Sequence, residues 1–205
     1  MESVNGQPGA QLVIISGPSG VGKDTIIAAM QERLPSHPRH YVITCTTRAR
    51  RAYEEDGRDY LFVTADDFVR LRDAEALLYA SQVHGNWYGT PRDQVRSALA
   101  SGRDAILKID VQGAHKVREA ISGALLIFVV PPSLEALEER LVGRSTESAA
   151  DLARRRQDAA DELARQGEYD HVVVNETGQI GRTAEQIDAI IAAEHKRHPQ
   201  RRIRV

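Results

Sequence analysis

Residues 17–23 read Gly17-Pro18-Ser19-Gly20-Val21-Gly22-Lys23, and this stretch decides the fold of the chain. It matches the pattern G-x-x-x-x-G-K, in which a glycine-rich loop between a strand and a helix binds nucleotide phosphates. The apolar run Leu12–Ile15 before the loop predicts a buried parallel strand. After the loop, apolar residues recur at helical spacing from Ile26 to Leu34, and Pro35 follows. We therefore predict a strand, a loop and a helix that together form a phosphate-binding site.

The backbone of this loop accounts for the binding of an anion. Glycines allow a tight turn, successive amide N–H groups point at the phosphate, and the helix start adds partial positive charge. Lys23 would reach the terminal phosphates. Asp24 stands where the pattern has Ser or Thr, and Thr25 follows it. Because a carboxylate is a good ligand for Mg2+, Asp24 is the predicted metal ligand. The loop residues predicted to bind the nucleotide are Gly17, Pro18, Ser19, Gly20, Val21, Gly22, Lys23, Asp24 and Thr25.

The composition is that of an ordinary globular protein and excludes several classes. The chain has 205 residues, a formal net charge of −2 and one cysteine, Cys45. The charge argues against binding to nucleic acid or to a membrane surface, and a single cysteine excludes an intrachain disulfide. No stretch has the length of a transmembrane helix and no secretory signal is visible, so we expect a cytoplasmic protein. The sequence leaves the oligomeric state open.

Short apolar runs alternate with amphipathic stretches, which predicts an α/β fold around a parallel sheet. Ser133 is a predicted helix N-cap, residues 151–166 predict an exposed charged helix, and Thr183 with Gln186 predicts a capping box that opens the last helix. The further buried strands are predicted at Ala105–Val111, Leu125–Val130 and His171–Asn175.

The region from Arg39 to Pro91 differs and is predicted to be an insertion into this core. Within it, Tyr41–Thr44 and Tyr60–Val63 predict strands, and Thr64–Leu78 predicts a helix capped by Thr64. The insertion also carries two arginines and two tyrosines that suit a phosphate, since guanidinium groups bind oxygens bidentately and phenols donate hydrogen bonds. A solvated basic turn is the alternative for this region. The four residues are Arg48, Arg51, Tyr60 and Tyr88.

With these motifs in order, the sequence resembles the guanylate kinase family over residues 11 to about 195. The resemblance implies a P-loop NTPase fold in a single domain, with a central parallel sheet flanked by helices, an inserted mixed β/α segment that binds the nucleoside monophosphate, and a helical lid. The implied core is 11–37, 93–133 and 161–195, the acceptor segment is 38–92, the lid is 134–160, and the ends 1–10 and 196–205 are expected to be flexible. The motifs that carry the resemblance are Thr44–Arg51, Asp56–Tyr60, Gly85–Pro91, Ile109–Ala114, Pro131–Ser133, Gly143–Glu147 and Tyr169–Asn175.

The resemblance also implies roles for individual residues. Arg48, Arg51, Tyr60 and Tyr88 would hold the GMP phosphate. The residues expected to lie at the guanine are Thr44, Tyr79, Thr90 and Asp110. The residues expected to reach ATP or the transferring phosphoryl group are Arg140, Arg144, Arg155 and Asn175. The implied catalytic residues are Lys23, Arg48, Arg144 and Arg155.

Three positions depart from the family pattern. Asp24 replaces a hydroxyl residue, Lys108 stands where the family has an acid, and Tyr79 replaces the glutamate that reads the guanine. The first two exchange charge between the loop and the neighbouring strand. We therefore hypothesise that Asp24 and Lys108 form a salt bridge or jointly organise Mg2+; the alternative is two independent substitutions without a mutual contact. The loss of a carboxylate at Tyr79 weakens the expected selectivity for guanine. Two other roles for Tyr79 stay open at this point, stacking on a base and packing in the core.

The predicted function is the ATP-dependent phosphorylation of GMP or dGMP, with Mg2+. Two alternatives remain. One is a kinase of another phosphorylated acceptor, such as ribose 1,5-bisphosphate, which the Gly-Lys-Asp ending of the loop favours. The other is a guanylate-kinase-like module that binds partners without catalysis.

Overall fold

The structure is a computed structural model. It describes the backbone of residues 7, 9–33, 38–83, 85–142 and 149–205, and the side chains of these residues except 141–142 and 149–155. The strands are β1 (Leu12–Ser16), β2 (Arg39–Tyr41), β3 (Cys45–Thr46), β4 (Leu61–Phe62), β5 (Leu77–Val83), β6 (Asn86–Pro91), β7 (Asp104–Lys108), β8 (Leu125–Val130) and β9 (His171–Val174). The helices are α1 (Lys23–Gln31), α2 (Ala65–Asp73), α3 (Arg92–Ala100), α4 (Val111–Ala120), α5 (Leu134–Val142), α6 (Ala149–Ala164) and α7 (Ile180–Arg197).

Five strands form the central parallel sheet that the sequence predicts. Their order is β2-β7-β1-β8-β9, and each neighbouring pair is parallel. Every residue of β1 is buried, as its apolar composition requires of a strand covered on both faces. Because the carboxyl ends of parallel strands share an edge, the loop after β1 and the residues after β7 meet there. This edge carries the site described below.

Four strands form a second, mixed sheet in the order β4-β3-β6-β5. The pair β3–β4 is parallel, whereas β6 is antiparallel to β3 and β5. The sheet has its own apolar cluster around Cys45, Phe68 and Leu77, and the Phe68 and Trp87 rings stack with centroids 5.7 Å apart. The Cys45 thiol donates a 3.1 Å hydrogen bond to the carbonyl of Gly89, and burial raises its pKa to about 11. The thiol is therefore protonated and shielded in the folded protein.

Some boundaries differ from the sequence prediction. The strand predicted at Tyr41–Thr44 is β2, which ends at Tyr41 and pairs with β7 in the central sheet, so the mixed sheet begins later in the chain. Thr64 caps α2 as predicted, accepting a 3.1 Å hydrogen bond from the Asp67 amide, but α2 ends at Asp73 and β5 follows.

Two predictions about the C-terminal part also differ from the structure. Thr183 opens no helix: it is buried inside α7, and its hydroxyl donates to the Asn175 side chain at 3.1 Å. The basic end was expected to be flexible, yet Ile203 is fully buried and Val205 is 8% exposed, because their apolar side chains pack into the cluster around β1 and β7. In the part of the chain that the structure describes, no helix is long and apolar enough to cross a membrane.

Candidate active site

A cleft of about 550 Å³ lies between the carboxyl edge of the central sheet, the mixed sheet and α6. Among the described residues, its lining brings together 14 of the predicted ones. They are Gly17, Ser19, Gly20, Gly22, Lys23, Asp24, Thr25, Thr44, Arg48, Arg51, Tyr60, Tyr79, Tyr88 and Asp110. Residues far apart in the chain thus converge on one space.

The phosphate-binding loop has a backbone that only glycine accommodates at two points. Gly17 has φ 147°, and a Cβ there would lie 2.2 Å from the carbonyl oxygen of Val129. Gly22 has φ 102° and precedes α1, and a Cβ there would lie 2.7 Å from Nδ2 of Asn175. That Nδ2 donates a 2.7 Å hydrogen bond to the Val21 carbonyl. The loop therefore keeps its shape through left-handed glycines and a buried amide after β9.

Lys23 lies folded back onto the loop. Its Nζ donates to the carbonyls of Gly17 at 2.5 Å and Pro18 at 3.0 Å. Burial lowers the pKa of this ammonium, and the carboxylates of Glu162 and Asp24 oppose that effect. A phosphate in the loop would offer the ammonium charged oxygen partners in place of neutral carbonyls.

Helix α6 brings a carboxylate to the phosphate loop. The Ser19 amide donates to Oε2 of Glu162 at 3.3 Å. Burial raises the pKa of Glu162, although Lys23 lowers it. Asp158 and Arg165 also line the cleft, so this wall is one face of α6 and the turn after it. The Glu162 carboxylate thus accepts from the Ser19 amide, a donor that a phosphate bound in the loop would also need.

Asp24 and Lys108 form the salt bridge that the sequence suggested. The Lys108 ammonium, at the end of β7, donates to Oδ1 of Asp24 in the first turn of α1. The Lys108 side chain is 18% exposed and that of Asp24 is 69% exposed. Burial alone would lower the pKa of Lys108, but the Tyr60 phenol and the Asp24 carboxylate outweigh it, so the pKa is raised. The two residues of opposite charge that depart from the family pattern, Asp24 and Lys108, are therefore in direct contact.

The two arginines and two tyrosines of the insertion lie together across the cleft from the loop. The Tyr60 and Tyr88 rings have centroids 6.2 Å apart, and the Arg48 guanidinium carbon lies 5.4 Å from the Tyr60 centroid. A buried carboxylate that the sequence argument missed orients the arginines. Glu54 accepts from Nη2 of Arg48 at 2.7 Å and from the Arg51 amide at 2.8 Å. Glu54 thus holds Arg48 and the Arg51 backbone in one arrangement beside the two rings, while the Arg51 side chain stays 52% exposed.

Beyond this cluster, the cleft ends at the N-terminus of α4. Asp110 caps this helix by accepting from the Gly113 amide at 2.9 Å, and it accepts from the Ser81 hydroxyl at 2.7 Å. Tyr79 is 6% exposed, and burial, followed by the Asp110 charge, raises the pKa of its phenol well above the usual value. Within the described part of the chain, the buried hydroxyls of Tyr79 and Thr90 form no well-aligned hydrogen bond, although Thr90 lies close enough to oppose the rise in the pKa of Tyr79.

Other predicted residues take different positions. Pro18, Val21, Thr90, Arg140 and Asn175 are absent from the cleft lining that the described residues form. The Arg140 guanidinium donates to the carbonyls of Val21 at 3.3 Å and Asn175 at 3.1 Å, so it supports the loop from behind. Arg144 and the side chain of Arg155 lie outside the described residues.

The structure adds cleft residues that the sequence reasoning did not select as site residues. Lys108 lines the cleft in addition to pairing with Asp24. Three charged residues recur at helical spacing along α6 and the turn after it: Asp158, Glu162 and Arg165. This spacing places them on one face of the helix, and it is the sequence signal that could have identified that face as part of the site. The further lining residues are Gln82, Val83, Ile109, Val111, Gln112, Ala159 and Asp161.

A phosphate-binding loop on a parallel sheet, facing a second cationic cluster across one cleft, defines a P-loop nucleotide kinase. The chain belongs to the guanylate kinase family, since the family model described as guanylate kinase matches residues 9–194. Its relatives include the guanylate kinase of Bordetella pertussis, 40% identical over 96% of this chain and 90% of the relative. The guanylate kinase of Streptococcus agalactiae is 44% identical over 91% of this chain and 88% of the relative.

Two further comparisons agree with this placement. The protein named guanylate kinase 2, chloroplastic/mitochondrial, of Oryza sativa is 41% identical over 93% of this chain and 68% of the relative. The crystal structure of guanylate kinase from Anaplasma phagocytophilum superposes with a TM-score of 0.74 at 31% identity, covering 92% of this chain and 87% of that one. The predicted family and fold class are therefore confirmed.

Proposed function

We propose that this protein transfers the γ-phosphoryl group of ATP to the phosphate of GMP or dGMP, which yields ADP and GDP or dGDP. One observation carries the proposal: a single cleft has the phosphate loop with Lys23 on one wall and the Arg48–Tyr60–Tyr88 cluster on the other. Phosphoryl transfer requires two phosphates aligned and their charge neutralised, and this cleft offers a cationic site for each. Membership of the guanylate kinase family supports the same reaction.

On the donor side, the loop amides and the start of α1 bind the ATP phosphates. Lys23 leaves the carbonyls of Gly17 and Pro18 and follows the phosphoryl group as it moves. Such a lysine stabilises charge that develops in the transition state. Glu162 must release the Ser19 amide when ATP binds, because a carboxylate and a phosphate compete for the same donor.

On the acceptor side, Arg48 and Arg51 bind the GMP phosphate, and the phenols of Tyr60 and Tyr88 donate single hydrogen bonds to it. Asp110 and the Thr44 hydroxyl face the guanine, where Asp110 accepts from the exocyclic amino group. Tyr79 and Thr90 lie beside them. The acceptor phosphate is already anionic, so the reaction needs no general base.

The donor set at the end of the loop fits Mg2+. In the described part of the chain there is no cluster of three His, Cys, Asp or Glu side chains for a metal. Mg2+ often binds through one carboxylate with substrate phosphates and several waters, and the exposed carboxylate of Asp24 can supply that one ligand. When bound, Mg2+ supplies positive charge to the phosphate oxygens of ATP.

The arginines of the lid complete the proposal. Arg144 and Arg155 would approach the transferring phosphoryl group, as the family resemblance implies, while Arg140 holds the loop through Val21 and Asn175. Closure over the cleft would exclude water, which would otherwise accept the phosphoryl group.

The test is ADP formation from ATP and Mg2+ with a panel of acceptors: GMP, dGMP, IMP, AMP, UMP and ribose 1,5-bisphosphate. We expect turnover with GMP and dGMP, and a loss of about 100-fold or more in kcat/KM for Lys23→Met. Lys116→Met is the matched control, because this exposed lysine of α4 does not belong to the cleft lining that the described residues form. Turnover with ribose 1,5-bisphosphate alone, or no ADP with any acceptor, would contradict the proposal.

A further inference from the structure

The Lys108 ammonium lies between the two phosphate subsites of the cleft. On one side it pairs with Asp24, directly after the phosphate loop. On the other side its Nζ lies 4.7 Å from the centroid of the Tyr60 ring, which belongs to the acceptor cluster. The same ring has the Arg48 guanidinium 5.4 Å from its centroid. Tyr60 is therefore shared by one cation from the acceptor segment and one from the central sheet.

This position follows from the topology. Lys108 is the last residue of β7, and β7 pairs directly with β1, with Lys108 opposite Ile15. Its backbone is therefore fixed next to the start of the phosphate loop, while its long side chain extends to the mixed-sheet side of the cleft. Asp24 reaches the same point from α1. Lys108 therefore contacts both α1 of the core and Tyr60 of the segment that binds the acceptor.

The charged groups around Lys108 indicate what its ammonium does in the cleft. Arg48 already has a carboxylate partner, Glu54, and Lys23 is bound to backbone carbonyls. Asp24 places a negative charge beside the site where ATP phosphates bind, and this charge repels them. Lys108 is the nearest described cation that offsets it. Lys23 also feels the Asp24 charge, but without Lys108 a phosphate that enters the cleft would meet more of this negative charge.

We propose that Lys108 is a second lysine of the phosphoryl-transfer centre. In the empty cleft it neutralises Asp24. With both nucleotides bound, its ammonium contacts phosphate oxygens between the donor and acceptor subsites. The proposal rests on the proposed function for the identity of the two nucleotides. It adds a residue and an energetic coupling, in which Asp24 and Lys108 act on nucleotide affinity in opposite directions.

The experiment is calorimetric binding of ATP and of GMP, each without metal in excess EDTA, to four proteins: wild type, Lys108→Met, Asp24→Asn and the double variant. Metal-free binding isolates the protein charges and requires no turnover. We expect Lys108→Met to weaken ATP binding by about tenfold or more, and Asp24→Asn to strengthen it by about threefold to tenfold. The double variant should return to within about threefold of wild type, since both charges are then absent.

Binding of GMP gives a second readout. Lys108→Met should weaken GMP binding by about threefold or more, because its ammonium lies beside Tyr60. Lys116→Met, the matched control on α4, should change neither affinity. With Mg2+ present, Lys108→Met should lower kcat more than it raises the KM of GMP, whereas a residue that only stabilises the fold would leave both unchanged at full folding.

The outcomes of these measurements are distinguishable. Unchanged ATP and GMP affinities in Lys108→Met, or losses of the same sign in Asp24→Asn and Lys108→Met, would overturn the proposal. If Lys108→Met does not fold, tighter metal-free ATP binding by Asp24→Asn supports it and equal or weaker binding refutes it. A wild type that binds both nucleotides and forms no ADP would contradict the proposed function, and the binding comparison would still decide the role of Lys108.

Discussion

The ring of Tyr79 lies so close to the backbone of Gly113 that a Cβ at Gly113 would be 2.5 Å from Cε2 of Tyr79 and 3.1 Å from its hydroxyl. Gly113 is buried in the first turn of α4, and its amide donates to Asp110. The tyrosine therefore occupies the end of the cleft beside α4 only because residue 113 of this helix lacks a side chain.

Gly113→Ala should consequently destabilise the protein although it raises helix propensity. We expect a loss of about 1–3 kcal/mol in the free energy of unfolding, because the ring must leave its position. Gly181→Ala is the matched control: a Cβ on this glycine of α7 would meet no described atom within 4 Å, so the substitution should stabilise by up to about 1 kcal/mol. Urea unfolding measures both values, and two changes of the same sign would refute the close contact.

Tyr79→Glu should sharpen the choice of base. A carboxylate at this position can accept from the guanine N1–H and amino group, which a phenol satisfies less well. The ratio of kcat/KM for GMP to that for AMP should rise by about tenfold to 100-fold. Tyr79→Phe is the control, since it keeps the ring and removes only the buried hydroxyl beside Thr90. An unchanged ratio in Tyr79→Glu would show that the side chain at 79 does not read the base.

Glu54→Gln should weaken both folding and the acceptor site. Burial would raise the pKa of Glu54, but the hydrogen bonds and charges of Arg48 and Arg51 outweigh it, so the pKa is lowered. A carboxyl group with a lowered pKa stabilises the fold above its ordinary value of 4.5, and this stabilisation is lost as the pH falls through the lower folded value. We expect a loss of about 1–3 kcal/mol at pH 7 in the variant and a higher KM for GMP.

Chemical unfolding across pH checks the assignment of Glu54. The difference between wild type and Glu54→Gln should shrink as the pH falls below 4.5, because wild type then loses the same charge. Glu55→Gln serves as the control, since Glu55 pairs with Arg58 at the exposed surface and should contribute less than about 1 kcal/mol. A pH-independent difference for Glu54→Gln would point to lost packing instead of lost charge.

Glu162→Gln should tighten the binding of ATP. The amide oxygen of glutamine still accepts from Ser19, but the variant no longer places a negative charge beside the loop. We expect about threefold to tenfold tighter binding at neutral pH. Because burial raises the pKa of Glu162, wild type should approach the variant as the pH falls and the carboxyl group takes up a proton. Asp161→Asn, whose side chain contacts Gln157, is the neighbouring control and should show a smaller effect.

Local features of the fold were predictable from the sequence. The strand, the glycine loop and α1 depend on short-range chemistry, and so do the Thr64 cap and the Ser133 cap, whose hydroxyl accepts from the Ala136 amide at 3.2 Å. The Asp24–Lys108 pair was predictable because two departures of opposite charge sit at positions that a parallel sheet brings together.

The features that depend on tertiary contacts were harder to predict. The start of strand β5 was absorbed into the predicted helix, because its pairing with β6 is invisible in a local pattern. Thr183 has the spacing of a capping box, yet a buried hydrogen bond to Asn175 places it inside α7. The role of Glu54 and Glu162 as partners of a backbone amide in the site depends on distances that composition cannot supply.

The buried thiol of Cys45 gives the protein an internal reporter. It is the sole cysteine of the sequence, and it lies in β3, the strand that precedes the arginines of the proposed acceptor site. A thiol reagent can modify it only in molecules whose mixed sheet has opened, so the rate of modification measures how often that happens. Because there is one cysteine, every adduct forms at Cys45. The intact mass of the protein therefore gives the rate of Cys45 modification with and without GMP.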